Sequence, residues 1–302
     1  MAVNLYNIKR WYKMLTGKSL YHVPQGVGKV FVPGELRGYF NDMTQKVIMG
    51  DSNLGDDGIP FFLHSDGTRI QMPTMIFQYG LGAFDLWLLE GDNKFLEKAI
   101  KCAEWGVEHQ LTNGAWNNFY YFYPDYPYSA MPQGEGASLL ARVYNTTNDE
   151  RYLLAAEKAI NFMLLSVEDG GTCKYTNGFP CFLEYTHKPT VLNGWVFAVF
   201  GLYDFSIINH EERYKEMFQK AVSELTSQLD KFVGAFWSMY DLDGKIASPF
   251  YHNLHVAQMR ALYLTTEKQQ FLGVCNRWEK EQHSLVCRSA AFIRKAFQKI
   301  IE

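Results

Sequence analysis

The chain has 302 residues, 47% of them hydrophobic and 20% charged, with no low-complexity stretch, which suits one large globular unit or two small ones. A formal net charge of −3 argues against bulk attraction to nucleic acid, so an acidic partner would have to be held by a few local cations. The five cysteines form no C-x-x-C pair and no zinc spacing, an odd count that suits a reducing compartment; with no signal peptide or membrane span visible, the cytoplasm is the expected location.

In chain order, residues 4–16 place Leu5, Ile8, Tyr12 and Leu15 at helical spacing beside Lys9, Arg10 and Lys13. This reads first as a helix packed on its own domain with a solvated basic face, and second as a weak contact with a membrane surface. From Tyr21 to about Asp66, prolines and glycines punctuate short β-branched runs such as Val30-Phe31-Val32, the texture of an extended arm with one or two β-hairpins. Arg37 and Arg69 are candidate carboxylate clamps here, because a guanidinium binds carboxylate bidentately; surface ion pairs are the other reading. Residues 1–66 are therefore expected as an N-terminal helix and extended, hairpin-bearing arm, and 67–302 as the main domain.

After Pro73 the pattern turns helical and repeats. Residues 75–89, 131–144, 191–208 and 254–264 are apolar around most of their surface, and each is followed by a shorter amphipathic segment. The anchor aromatics of those second segments, Phe95, Tyr152, Tyr214 and Phe271, lie 57, 62 and 57 residues apart. Two helices per repeat at such a period indicate stacked hairpins, with the apolar helix inside and the amphipathic one on the rim. Four hairpins curled about an axis make the expected fold: mainly α, an (α/α) toroid with a short β-containing N-terminal arm. The loops into the inner helices would gather at one end.

Those loops carry the polar and aromatic residues of interest. They are Gln78-Tyr79-Gly80, then Tyr128-Ser-Ala-Met131-Pro-Gln133-Gly134, then Glu184-Tyr185 leading to Leu192-Asn193-Gly194, and finally Tyr240-Asp241-Leu242 and Tyr251-His252-Asn-Leu-His255. Gln78 and Gln133 suit sugar hydroxyls or helix capping. His252 and His255 suit relays or carboxylate ligands, with hydrogen-bonded structural histidines as the alternative. For Glu184 the plain reading is a carboxylate at a helix N-terminus, and for the tyrosines a packed ring with a satisfied hydroxyl.

Taken together from Pro73 to Gln258, with Gly201-Leu202-Tyr203-Asp204 between, these motifs resemble the D-glucuronyl C5-epimerase family, the heparosan epimerases that turn glucuronate into iduronate within a polymer. The resemblance implies a helical toroid, no redox cofactor, a uronate-containing polysaccharide as substrate, and proton transfer by Glu184, Tyr185, Tyr240 and Tyr251. Asn193 falls in the same motif as a substrate-binding position. The sequence leaves room for a homodimer. It departs from the family at Asp243-Gly244, where a basic residue is expected.

Inverting C5 means taking a proton from one face and returning one to the other, so the site needs two acid/base groups and something to hold the carboxylate. For that last task the order of expectation is His252, His255, Arg37, Arg69. Burial beside Phe182 and Tyr185 would raise Glu184 from its reference pKa of about 4.3 and make it a better base. A polysaccharide lyase, an inverting hydrolase using Glu135 or Asp241 as a second carboxylate, and a glycan-binding protein without activity are the competing readings.

Overall fold

The computed structural model describes residues 22–50, 53–64 and 66–301. The helix expected over residues 4–16 lies outside them. Four hairpins form in the expected places. The inner helices are α2 (Pro73–Glu90), α4 (Ala130–Thr147), α6 (Leu192–Ile208) and α8 (Pro249–Thr266), after a short α1 (Thr44–Ile48). Their outer partners are α3 (Asn93–Glu108), α5 (Glu150–Leu164), α7 (Glu212–Gln228) and α9 (Gln269–His283). Each inner helix packs on its own outer helix and on the next inner one, so the four stand side by side in chain order.

Local chemistry sets the breaks. Gly91 and Asn148 end α2 and α4 in the left-handed region. Asp92 and Asp149 then start α3 and α5 at once, accepting from the backbone of Lys94 and Arg151. Inner helix α6 is buried over most of its length, from Leu192 through Leu202, which is why its sequence shows no polar face.

Two small hairpins complete the chain. Strands β1 (Phe62–Leu63) and β2 (Arg69–Ile70) pair antiparallel at the end of the arm, as do β3 (Cys173–Thr176) and β4 (Phe179–Phe182) before α6. The second turns on Asn177-Gly178, both at positive φ, the chemistry a two-residue hairpin demands. That hairpin was not among the expected elements, and neither was α10 (Leu285–Ile301). Helix α10 packs by a face of small and polar residues: Ala291 and Cys287 meet the cluster of Trp237, Ile246 and Ala247, while Gln298 accepts from the Ile246 backbone N–H and Lys295 donates to the Ile246 carbonyl. Leu285, Val286, Phe292, Ile293 and Phe297 face outward, so hydrophobic patterning misleads about which side is buried.

The arm shares the toroid's core. Phe40 stacks on Phe200 of α6 with ring centroids 4.0 Å apart, and the Tyr39 backbone N–H donates to Asp85 of α2. Arg142 of α4 is fully buried; it donates to Asp204 of α6, to Ser138 and to the arm carbonyls of Gly38 and Arg37. These contacts fall in the C-terminal halves of the inner helices. His22, where the described chain begins, lies against Phe250 and Tyr251 at the opposite end. The arm thus runs the length of the inner layer.

Candidate active site

At the N-terminal ends of the inner helices, three loops are tied to one another by backbone hydrogen bonds. The Leu183 N–H donates to Thr172 and its carbonyl accepts from Ala130 at the start of α4, fixing the residue before Glu184 from both sides. The Leu192 N–H donates to the Tyr240 carbonyl, and Val191 bridges Asp241, so the Tyr240 loop is stitched to the start of α6. Tyr251 lies in the first turn of α8, its N–H reaching the Ser248 hydroxyl cap.

Glu184 is 8% exposed and sits on α6 where Gly194 has no side chain; a Cβ there would stand 2.5 Å from its Oε2. Asn193 Nδ2 donates to the same oxygen at 3.4 Å. Burial pushes the Glu184 carboxyl up to about 7, offset in part by a hydrogen bond with Tyr185, the Lys188 charge and the Asn193 amide. The Tyr185 ring stacks on Phe119 with centroids 4.5 Å apart. Burial, then the charge of Glu184, holds its phenol protonated far above the usual range, and Tyr251 adds to the effect. Tyr240 is raised in the same way, by burial first and then by Glu184, Tyr251 and Tyr185. Its ring lies 4.9 Å from that of Tyr251. The structure therefore brings Glu184, Tyr185, Tyr240 and Tyr251 into one electrostatic cluster.

A second carboxyl joins it. Glu135 on α4 is fully buried; Oε1 accepts from Gln78 Nε2 at 2.8 Å and Oε2 has no partner. Burial pushes it up to about 8; Gln78 and Lys46 pull down, and Glu184 pushes up. Gln78 thus holds Glu135, and Asn193 holds Glu184.

The remaining expected positions fall elsewhere. His252 is fully buried, stacked on Trp237 at 3.6 Å; its Nδ1 accepts from the Ser238 N–H and its Nε2 donates to the Trp278 carbonyl. Burial lowers it to about 4, so it carries no charge near neutrality. His255 shares the Ser238 hydroxyl through Nδ1 and is lowered well below the ordinary range by burial and by His252. Both rings meet Trp278 of the outer helix, and burial keeps both neutral. Gln133 spends its amide on the backbone: Oε1 accepts from Trp116, Nε2 donates to Gly114 and Ala159. Arg37 is exposed at the arm end, beside Arg142, and Arg69 is exposed on β2 over the Phe61 ring at 4.8 Å.

One cation beside the cluster was not among the expected site residues. Lys188 Nζ donates to the Tyr123 hydroxyl at 2.7 Å and lies 4.7 Å from the centroid of Tyr185. Its place in the Glu184 loop was the only available signal. Among the described residues no group of three or more His, Cys, Asp or Glu could hold a metal ion. Cys102, Cys173, Cys181 and Cys275 are buried free thiols.

Helical hairpins with acid and phenol groups at the ends of the inner helices define the chain as an (α/α) toroid. A solved structure of cellobiose 2-epimerase from Bacillus thermoamylovorans shares this fold, with a TM-score of 0.55 over 78% of this chain and 67% of that one at 11% identity. Residues 101–280 match the family described as the D-glucuronyl C5-epimerase C-terminus, and the chain belongs to that family. It is 27% identical over 205 residues to the D-glucuronyl C5-epimerase of Caenorhabditis elegans, a match over 58% of this chain and 33% of that protein. An uncharacterized protein of Methanocaldococcus jannaschii is 31% identical over 157 residues, 50% of this chain and 51% of that protein. The chain spans about a third to a half of the length of these curated relatives.

Proposed function

We propose that this protein inverts C5 of a uronate residue, glucuronate to iduronate, within a polysaccharide of the heparosan type. The observation that carries the reading is the meeting of one buried carboxyl with three phenols at the N-terminal ends of α4, α6 and α8. The inversion needs a base and a proton donor, and the cluster holds both kinds of group. Glu184, near 7, is ionised in a large fraction of molecules at neutral pH and is a stronger base than an ordinary carboxylate. Tyr185 and Tyr240, raised far above the usual range, keep their protons and serve as donors.

In the glucuronate direction Glu184 takes the C5 proton, directly or through the Tyr185 hydroxyl. The C–H electron pair moves into the substrate carboxylate to give an enediolate. Lys188 balances the charge that develops there. Tyr251 or Tyr240 then returns a proton to C5 from the other face, and solvent reprotonates the phenolate. Charge development is strongest in this intermediate, so the cation and phenols act where they contribute most to rate.

The test is incubation with unsulfated heparosan in heavy water. Deuterium should appear at C5 with no shortening of the chain. New absorbance from an unsaturated uronate would replace this reading with a lyase, and shortened chains without unsaturation would replace it with a hydrolase using Glu135 beside Glu184. Binding without exchange would leave a glycan-binding protein.

A further inference from the structure

The loop between α3 and α4 carries far more aromatic surface than the core needs. Within it Tyr120 is 62% exposed, Tyr121 42%, Phe122 38% and Tyr126 48%. Burying such rings is worth about 1.5–3 kcal/mol each, so a chain that leaves a row of them in water has a surface that fits something else. The row is also ordered before anything binds. Phe119 donates its N–H to Pro127, while Phe122 and Tyr123 donate theirs to Phe119 and Tyr126 donates to Tyr123. The Tyr126 ring lies on His187 with centroids 4.2 Å apart and planes 25° from parallel.

This surface is continuous with the cluster. Tyr185 stacks on Phe119 and meets Tyr123 edge-on at 6.2 Å; Tyr123 meets His187 at 5.0 Å; His187 carries Tyr126. Burial, then the Lys188 charge, lowers His187, so Lys188 is the cation at this wall, while Asp125 stands exposed in the same loop between Tyr123 and Tyr126. Resting on the proposed uronate reaction, we propose that Tyr123, His187 and Tyr126 form a binding subsite for the sugar next to the reacting uronate in an acidic polysaccharide. A pyranose with equatorial substituents presents a flat face of C–H groups with hydroxyls at its rim. An exposed, pre-ordered ring takes that face with little loss of freedom, while Lys188 at the inner end takes the carboxylate.

Isothermal titration with an unsulfated heparosan octasaccharide, and separately with the methyl glycoside of glucuronate, tests this. Tyr126→Ala should weaken the octasaccharide about tenfold and leave the monosaccharide unchanged, because only the chain reaches the wall. Tyr126→Phe should keep the affinity, since the ring stacks and the hydroxyl does not. The thermal midpoint of each variant shows that the exposed change has left the fold intact. Wild-type affinity for the octasaccharide in Tyr126→Ala overturns the subsite, as does equal weakening of both ligands, loss in Tyr126→Phe equal to that in Tyr126→Ala, or an octasaccharide that does not bind the parent protein. A parent protein that binds the octasaccharide through Tyr126 without C5 exchange sinks the epimerase reading and keeps the subsite.

Discussion

The inner helices bury carboxyl groups at both ends, and the two ends treat them differently. At the arm end Asp204 faces Arg142, which is fully buried and spends its remaining donors on Ser138, Gly38 and Arg37. At the other end no guanidinium meets the carboxyls: Glu184 is held by the Asn193 amide and a hydrogen bond with Tyr185, and Glu135 by the Gln78 amide. A guanidinium is always charged and fixes its partner; an amide satisfies one oxygen and leaves the proton free to come and go. The first arrangement locks an arm to a core. The second prepares acids whose protons are held near neutral pH.

The largest effect should come from breaking the locked end. Arg142→Met leaves Asp204 buried without its cation and releases Gly38, and should cost about 3–5 kcal/mol, read as a fall in the thermal or denaturant midpoint. At the other end the balance reverses. Tyr185→Phe and Tyr251→Phe should change stability by no more than about 1 kcal/mol while lowering C5 exchange about a hundredfold or more. Equal loss of stability at both ends would dissolve the contrast.

The pH dependence of folding sharpens it. Glu184 and Glu135 are raised to about 7 and about 8, so the folded state binds their protons more tightly than the unfolded chain does. Their contribution is complete below the ordinary carboxyl range and is lost as pH rises through these values. Glu135→Gln should therefore flatten the decline of the melting temperature between about pH 5 and about pH 9, by roughly 1–3 kcal/mol of stability. Asp85, raised to about 7 by burial, adds to the same decline from the arm end, and Asp85→Asn measures that share separately. Exchange should run the other way, rising with pH through about 7 as Glu184 ionises. The smallest shift in pH belongs to Lys188→Met. Its exposed charge holds Glu184 down, so its loss should move that rising limb upward by about 0.3–0.5 pH. The plateau rate should fall about tenfold as well, because the enediolate loses its cation.

Much of this was legible in the chain. The four hairpins were, because an all-round apolar segment followed by an amphipathic one can be buried in few other ways. The Asn177-Gly178 turn was equally legible in principle: both residues require positive φ, and short β-rich runs flank them. The histidines were not. Consecutive helical residues differ by about 100° in direction, so Tyr251 can face the phenols while His252 meets Trp278. Nothing local says which side of α8 meets the outer helix.

By itself, then, the sequence determined the repeat, the inner and outer roles of the helices, and the set of loops that meet at one end. Periodicity and burial are properties of single segments, and they survive without knowledge of neighbours. The tertiary structure alone decided which side chains carry charge at the site. Lys188 meets Tyr123 from 65 residues away, and Glu135 meets Gln78 from 57. Arg37, on the arm, is carried to the far end of the same helices. Proton affinity and electrostatic reach depend on what surrounds a group in space, and the order of residues along the chain does not contain that distance.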